Sequence, residues 1–209
     1  EMWPIQQKRN QPVIQDIKEH VGKEIRSSIR LQQLPASSRI AVAVGSRGIK
    51  HLAIYVRTTL ETLKAMGHQP FVVAAMGSHG GATSEGQRAL LAHYGVHEEA
   101  LGVPVHTEME VEQIGVSASG IPVYWDKNAL RADGVITISR IKPHTDFQGT
   151  YESGIVKMMV IGLGKQAGAS VHHAYGVRGL RDFIPQSAQV VLEKTKFLAG
   201  LAIVENADD

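Results

Sequence analysis

The sequence contains no cysteine. Disulfides, zinc–thiolate sites and cysteine-ligated iron–sulfur clusters are therefore excluded within the chain, and the absence fits a cytoplasmic protein. Aromatic residues make up only 5%, which leaves little material for the stacking platforms of nucleic-acid binders. An excess of one charge is also missing. The 22 Lys and Arg stand against 20 Asp and Glu, a net charge of +2, and the basic residues are spread out, so no nucleic-acid partner is expected. No run approaches the ~20 apolar residues that span a bilayer. The start, Glu1-Met2-Trp3-Pro4, has no charged head followed by an apolar stretch, so neither a signal peptide nor a membrane partner is expected. There is no internal repeat and no low-complexity segment.

What is present reads as a soluble globular protein: 209 residues, 43% of them hydrophobic, with 21 glycines, enough to bury a real core. Residues 1–12 hold Pro4 and Pro12 and read as an N-terminal arm. From Val13 to Ile29 the apolar residues follow helical spacing. Arg39 to Val44 is a strand ending in Gly45-Ser46-Arg47-Gly48. A helix over about 50–66 would bury Leu52, Val56, Leu60 and Leu63, with Gly67 at its cap. Phe71–Ala75 is the next strand, followed by Met76-Gly77-Ser78-His79-Gly80-Gly81-Ala82-Thr83 and a helix over about 85–94. Short strands with a turn at Ser117–Gly120 suggest a β insertion or sheet edge over 103–124. The β-branched run Val135–Ile138 is a buried strand, and a helix over about 187–196 precedes an apolar last strand, Phe197–Val204.

Strands that alternate with helices, with polar loops at the strands' carboxyl ends, predict an α/β fold. The expectation is a Rossmann-like parallel sheet with flanking helices and a small β insertion, in one domain over 13–209. The start on glutamate and the stop just after a strand suggest one domain of something longer.

The loops carry the chemistry-bearing residues. Gly45-Ser46-Arg47-Gly48, between strand and helix, suits an anion held by helix amides and a guanidinium, or is an ordinary turn. His79 stands among glycines that admit a ligand to the backbone, and a histidine there is a candidate general base. His144 follows the central strand with Arg140, Lys142 and Asp146 nearby, as an oriented base would, although Asp146 could equally cap a turn. Lys157 lies in the apolar Ile155–Val160, where burial would make its amine a nucleophile; the alternative is a lysine snorkelling from a helix edge. His172 and His173 are adjacent and point different ways, so at most one serves such a site. Histidine without cysteine suits nickel, zinc or iron. His20, His51, His68, His93, His97 and His106 read as surface residues, and Met158-Met159 as core packing.

The segments VGSRGI, AMGSHGGAT, RIKPHTDF, ESGIVKMMVIGLGK and VHHAYG, in that order over about residues 39–176, resemble the N-terminal domain of the nickel-dependent lactate racemase (2-hydroxyacid racemase) family. The resemblance implies an isomerase whose active site lies between two domains, the second absent from this chain, so that the isolated domain would be inactive. It implies a nickel-pincer nucleotide as cofactor, a pyridinium mononucleotide that carries sulfur groups and holds nickel. By motif, Lys157 would tether that cofactor and His173 would ligate nickel, with His172 as the alternative. His79 and His144 would be the acid/base pair, and Arg47 would bind the carboxylate of a small 2-hydroxy acid. The chain departs from the family at three places, one of them a longer interval from His144 to Lys157. Val44 and Gly45 stand where the family carries an aspartate, and Gly154-Ile155-Val156-Lys157 stands where it reads Gly-Gly-x-Lys.

Overall fold

The structure, a computed structural model, describes residues 12–206 apart from Arg47. Of the expected arm only Pro12 falls among the described residues. Two helices open the chain, α1 (Ile17–Ser27) and α2 (Ile29–Gln32). Asp16 caps α1 by accepting from the Glu19 N–H at 2.9 Å. The helical spacing read from Val13 to Ile29 is thus broken at both ends: Val13 and Ile14 precede the helix, and Ile29 starts a second one. All three are exposed.

Next come β1 (Arg39–Val44), α3 (Leu52–Ala65), β2 (Gln69–Ala74), α4 (Ser84–His93), α5 (Glu98–Leu101) and β3 (Val105–His106). A hairpin follows, β4 (Val111–Val116) and β5 (Pro122–Asp126), then α6 (Lys127–Leu130) and β6 (Gly134–Arg140). The final part holds α7 (Ile155–Lys157), which runs on as a π-helical turn over Met158–Gly162, then α8 (Lys165–His173), α9 (Gly176–Arg178) and a second π turn over Gly179–Phe183. The chain closes with α10 (Ile184–Lys194) and β7 (Phe197–Ile203).

The main sheet has five strands in the order β3-β2-β1-β6-β7, every pair parallel. The expected α/β architecture with a parallel sheet is therefore present. The insertion over 103–124 needs dividing: β3 is the edge strand of the main sheet, and only β4 and β5 form a separate antiparallel pair.

Alternation along β1 divides the core into two layers. Ile40, Val42 and Val44 join Leu52, Val56, Leu60 and Leu63 of α3 on one face, the helix face read from sequence. Ala41 and Ala43 join Trp125, Met159, Val160 and Leu163 on the other. Small residues on β1 let the Met158–Gly162 turn lie close to the sheet. Trp125 is fully buried, and its indole N–H donates to the Met159 carbonyl at 2.8 Å, which ties the hairpin to the segment that carries Lys157 and satisfies the one polar atom of the ring. His68, expected at the surface, is 7% exposed and so belongs to the interior.

Candidate active site

The sheet has one point where strand order reverses. From β1 the chain builds outward through β2 and β3, then returns to place β6 on the other side of β1. Open α/β sheets bind ligands in the crevice at the carboxyl ends of the strands flanking such a point. The register sets this crevice, because Val44 pairs with both Ala74 and Ile138 and the three strands end at one level. A cavity of about 370 Å³ opens there, lined by residues of the loops after all three strands and by Lys157, Met158 and His173. Among those loop residues are Gly45, Ser46, His79, Arg140, Lys142 and His144.

His79 follows β2 in a loop that only glycine permits. Gly77, Gly80 and Gly81 all have positive φ, at 58°, 66° and 66°. Gly86 packs so closely that a Cβ there would stand 1.8 Å from the Gly80 carbonyl oxygen. The buried Gln87 amide donates to the carbonyls of Gly77 (3.0 Å) and His79 (3.2 Å), pinning the loop to α4. The His79 ring is hydrogen-bonded through Nδ1 to the Ser46 hydroxyl. Ser46 is itself held, its carbonyl accepting from the Tyr94 hydroxyl at 3.2 Å.

His144 follows β6 in a longer loop. Glu152 organises it by accepting from the N–H groups of His144 (2.8 Å) and Gly149 (3.0 Å), and these two bonds hold its carboxyl below the usual value. Phe147 stacks on the imidazole with centroids 4.4 Å apart. Nδ1 accepts from the Asp146 N–H at 3.1 Å, and Nε2 lies 3.0 Å from Lys157 Nζ. The imidazole and the Lys157 amine are thus within hydrogen-bond reach of each other, with the tautomer deciding which of them donates.

Lys157 ends α7, which Gly154 starts at φ 91°. It is half-buried rather than enclosed in the apolar core. The adjacent histidines diverge. His173 lines the cavity, and burial first, then the Lys157 charge, lower its pKa and favour a neutral imidazole. His172 is 1% exposed, with Nδ1 against the Gly168 carbonyl (2.8 Å) and Nε2 against the Ser187 hydroxyl (2.9 Å). It does not line the cavity, so it lacks the access a ligand needs. Met158, grouped with the core in sequence, lines the cavity beside Gly45. Arg47 lies outside the described residues.

The profile of the lactate racemase N-terminal domain matches residues 4–180. The chain belongs to that family. No curated protein matches the sequence. The structure resembles that of the lactate racemase apoprotein from Thermoanaerobacterium thermosaccharolyticum, with a TM-score of 0.64 at 14% identity, over 91% of this chain and 49% of that one. At this identity the likeness is one of fold, and the chain spans about half the length of the solved racemase.

Membership in the lactate racemase family raises the question of its metal-bearing cofactor. Among the described residues no group of three or more His, Asp or Glu could hold a metal ion. A metal in this cavity would have to bring most of its ligands with it. The residues fit that arrangement: His173 offers one neutral nitrogen, and the Lys157 amine opens on the same cavity.

Sequence reasoning missed several residues that support the site. Ser46 and Glu152 stood in motifs that were read, yet their hydrogen bonds needed the fold to be seen. Lys165 is fully buried, pairs with buried Asp126 at 3.3 Å and donates to the Ala74 carbonyl at the end of β2 at 2.5 Å. Only its place in a glycine-rich apolar run hinted at this.

Proposed function

We propose that the full-length protein racemises or epimerises a small 2-hydroxy acid and that this chain supplies the cofactor-binding, acid/base half of its active site. The observation that carries the reading is the convergence of His79 and His144. They come from loops after β2 and β6, the two strands flanking β1, and face a single cavity. Had the sheet separated them, no two-base mechanism would fit.

In this reading Arg47 holds the substrate carboxylate by paired hydrogen bonds. One histidine takes the hydroxyl proton and the other returns a proton after the configuration at the α-carbon has changed. Two bases serve both enantiomers. Ser46 orients His79 through Nδ1, and Glu152 and Phe147 orient His144, so each ring meets the substrate with its geometry already set. Lys157 forms the covalent tether and His173 the metal contact of a nickel-pincer nucleotide. When bound, that cofactor supplies the hydride acceptor and donor for the α-carbon. A second domain of the longer protein completes the cleft, and the isolated domain is inactive. The absence of cysteine fits work in the cytoplasm.

The test is the denatured intact mass of the full-length protein, co-produced with the enzymes that make the cofactor. We expect added mass that maps to Lys157 and vanishes in Lys157→Ala. An unmodified chain, with a known racemase modified in parallel, removes the tether and favours a nucleotide- or phosphate-binding relative without racemase activity.

A further inference from the structure

The cavity carries more positive charge than the proposed reaction uses. Arg140, Lys142 and Lys157 all line it. Among the described residues Asp146 is the one carboxylate in its wall, and that side chain is 70% exposed. Lys157 is accounted for; Arg140 and Lys142 are not.

Arg140 ends β6, and its guanidinium meets two oxygens of neighbouring segments. Nε lies 2.6 Å from Glu205 Oε2, and Nη1 donates to the Gly48 carbonyl at 3.4 Å. The Glu205 side chain is 6% exposed, and its other oxygen accepts from the Lys50 N–H at 2.6 Å. Glu205 therefore clamps the end of β6 to the loop after β1. It lies beyond residues 4–180, the span that the family profile matches. The Arg140 side chain remains 35% exposed, and its Nε meets Glu205 as a close ion pair rather than an aligned hydrogen bond. A guanidinium that lines a cavity and is only partly engaged can still reach a carboxylate or a phosphate there. Lys142 is locked as well: its N–H donates to the Ser153 hydroxyl at 2.8 Å, and that hydroxyl donates back to its carbonyl. The backbone is gripped, and the ammonium has no carboxylate partner among the described residues.

We propose that Arg140, oriented by Glu205 and flanked by Lys142, forms an oxyanion subsite of the cavity at the β6 end. The ligand places a carboxylate or a phosphate there. The proposal rests on this cavity being the ligand site and does not require racemisation. The anion belongs to a mononucleotide phosphate or to a substrate carboxylate, and the test separates the two.

Nicotinamide mononucleotide and L-lactate serve as probes, each titrated into the 209-residue chain and followed by the amide NMR shifts of cavity residues. Charge-assisted hydrogen bonds of this kind contribute about 1.5–3 kcal/mol, so Arg140→Gln is expected to weaken binding roughly 10- to 100-fold. Arg140→Lys should recover part of the affinity. Glu205→Gln should weaken binding severalfold and Glu205→Asp should restore it, a rescue that a general loss of packing would not give. Thermal melts confirm that each variant is folded. Dependence on Arg140 for the mononucleotide alone assigns a phosphate subsite, and for lactate alone a carboxylate subsite. Equal affinities of Arg140→Gln, Lys142→Gln and the parent for both probes overturn the proposal, as does a parent that binds neither at tens of millimolar. If the full-length enzyme fails to racemise while binding still depends on Arg140, the racemase reading falls and the subsite stands.

Discussion

Replacing Lys165 with methionine tests whether the buried ion pair holds the β2 end of the site in place. The Lys165 side chain is 0% exposed and its partner Asp126 is 1% exposed. Burial pushes the lysine down and the aspartate up, each opposed by the other's charge. Methionine keeps the length of the side chain but deletes the ammonium. It strands the Asp126 carboxylate with only backbone N–H groups, those of Ala129 at 2.8 Å and Asn128, as partners. It also takes the donor from Ala74, two residues before Met76 opens the His79 loop. Breaking a buried pair by removing one partner costs about 3–5 kcal/mol, and urea unfolding at pH 7 would read this directly. Lys165→Met/Asp126→Leu removes both charges and should recover most of the loss, short by about 1 kcal/mol because Asp126 also caps α6. The sign of the pH dependence follows from the aspartate. With its folded pKa raised above the ordinary 3.8, its stabilising share is present below that value and is lost as pH rises. Lys165→Met should thus approach the parent in stability as pH falls toward 4. A single variant within about 1 kcal/mol of the parent at pH 7, or a deficit unchanged by pH, would refute the reasoning.

Two further expectations concern the end of α8 and the loop after β6. His172→Ala removes a buried ring and orphans Ser187, and should cost about 2–4 kcal/mol in urea unfolding. His173→Ala, at an exposed position, should cost under about 1 kcal/mol and instead abolish metal retention in the loaded full-length enzyme; similar stability losses for the two would contradict their placement. For Glu152, hydrogen bonds from His144 and Gly149 hold the folded pKa below 4.5. The order it gives the 141–153 loop is therefore present above 4.5 and lost as pH falls below it. Amide exchange in that loop should accelerate under acid, and Glu152→Gln should remove most of the dependence.

Much of the fold was legible because β1, β2 and β6 are short apolar runs that stop abruptly in glycine or polar residues. A strand buried on both faces leaves that mark in a sequence. The same abrupt stops marked the candidate site, since a carboxyl-edge loop is where the backbone leaves the sheet and side chains meet solvent. Periodicity gave the buried face of α3 correctly, yet overran at Val13 and Ile29, because an apolar residue at helical spacing does not show whether a partner surface lies opposite. It did not show that β3 pairs with β2, a choice made by tertiary packing rather than local preference. The two lysines show the same limit: Lys157 sits in the more apolar stretch but opens on the cavity, whereas Lys165, among glycines, is the one fully enclosed.

What sequence could not show was partnership across distance. Glu205 meets Lys50 and Arg140, Lys165 meets Asp126, and Ser46 meets His79. None of these pairs has a local spacing rule: Lys165 of α8 meets Asp126 at the end of β5 in the antiparallel hairpin, and the Glu205 and Ser46 contacts form where parallel strands bring their carboxyl ends to one level. That register also explains how a chain 14% identical to a solved lactate racemase keeps the same fold. Backbone pairing of β2, β1 and β6 requires apolar, close-packed strands, not particular residues, and once it forms, the loops after all three converge. Convergence then brings His79 and His144 to one cavity. Arg140 and Lys142 line the same cavity and Glu205 pairs with Arg140, so in the proposed subsite these residues, more than the histidines, decide which anion is accepted.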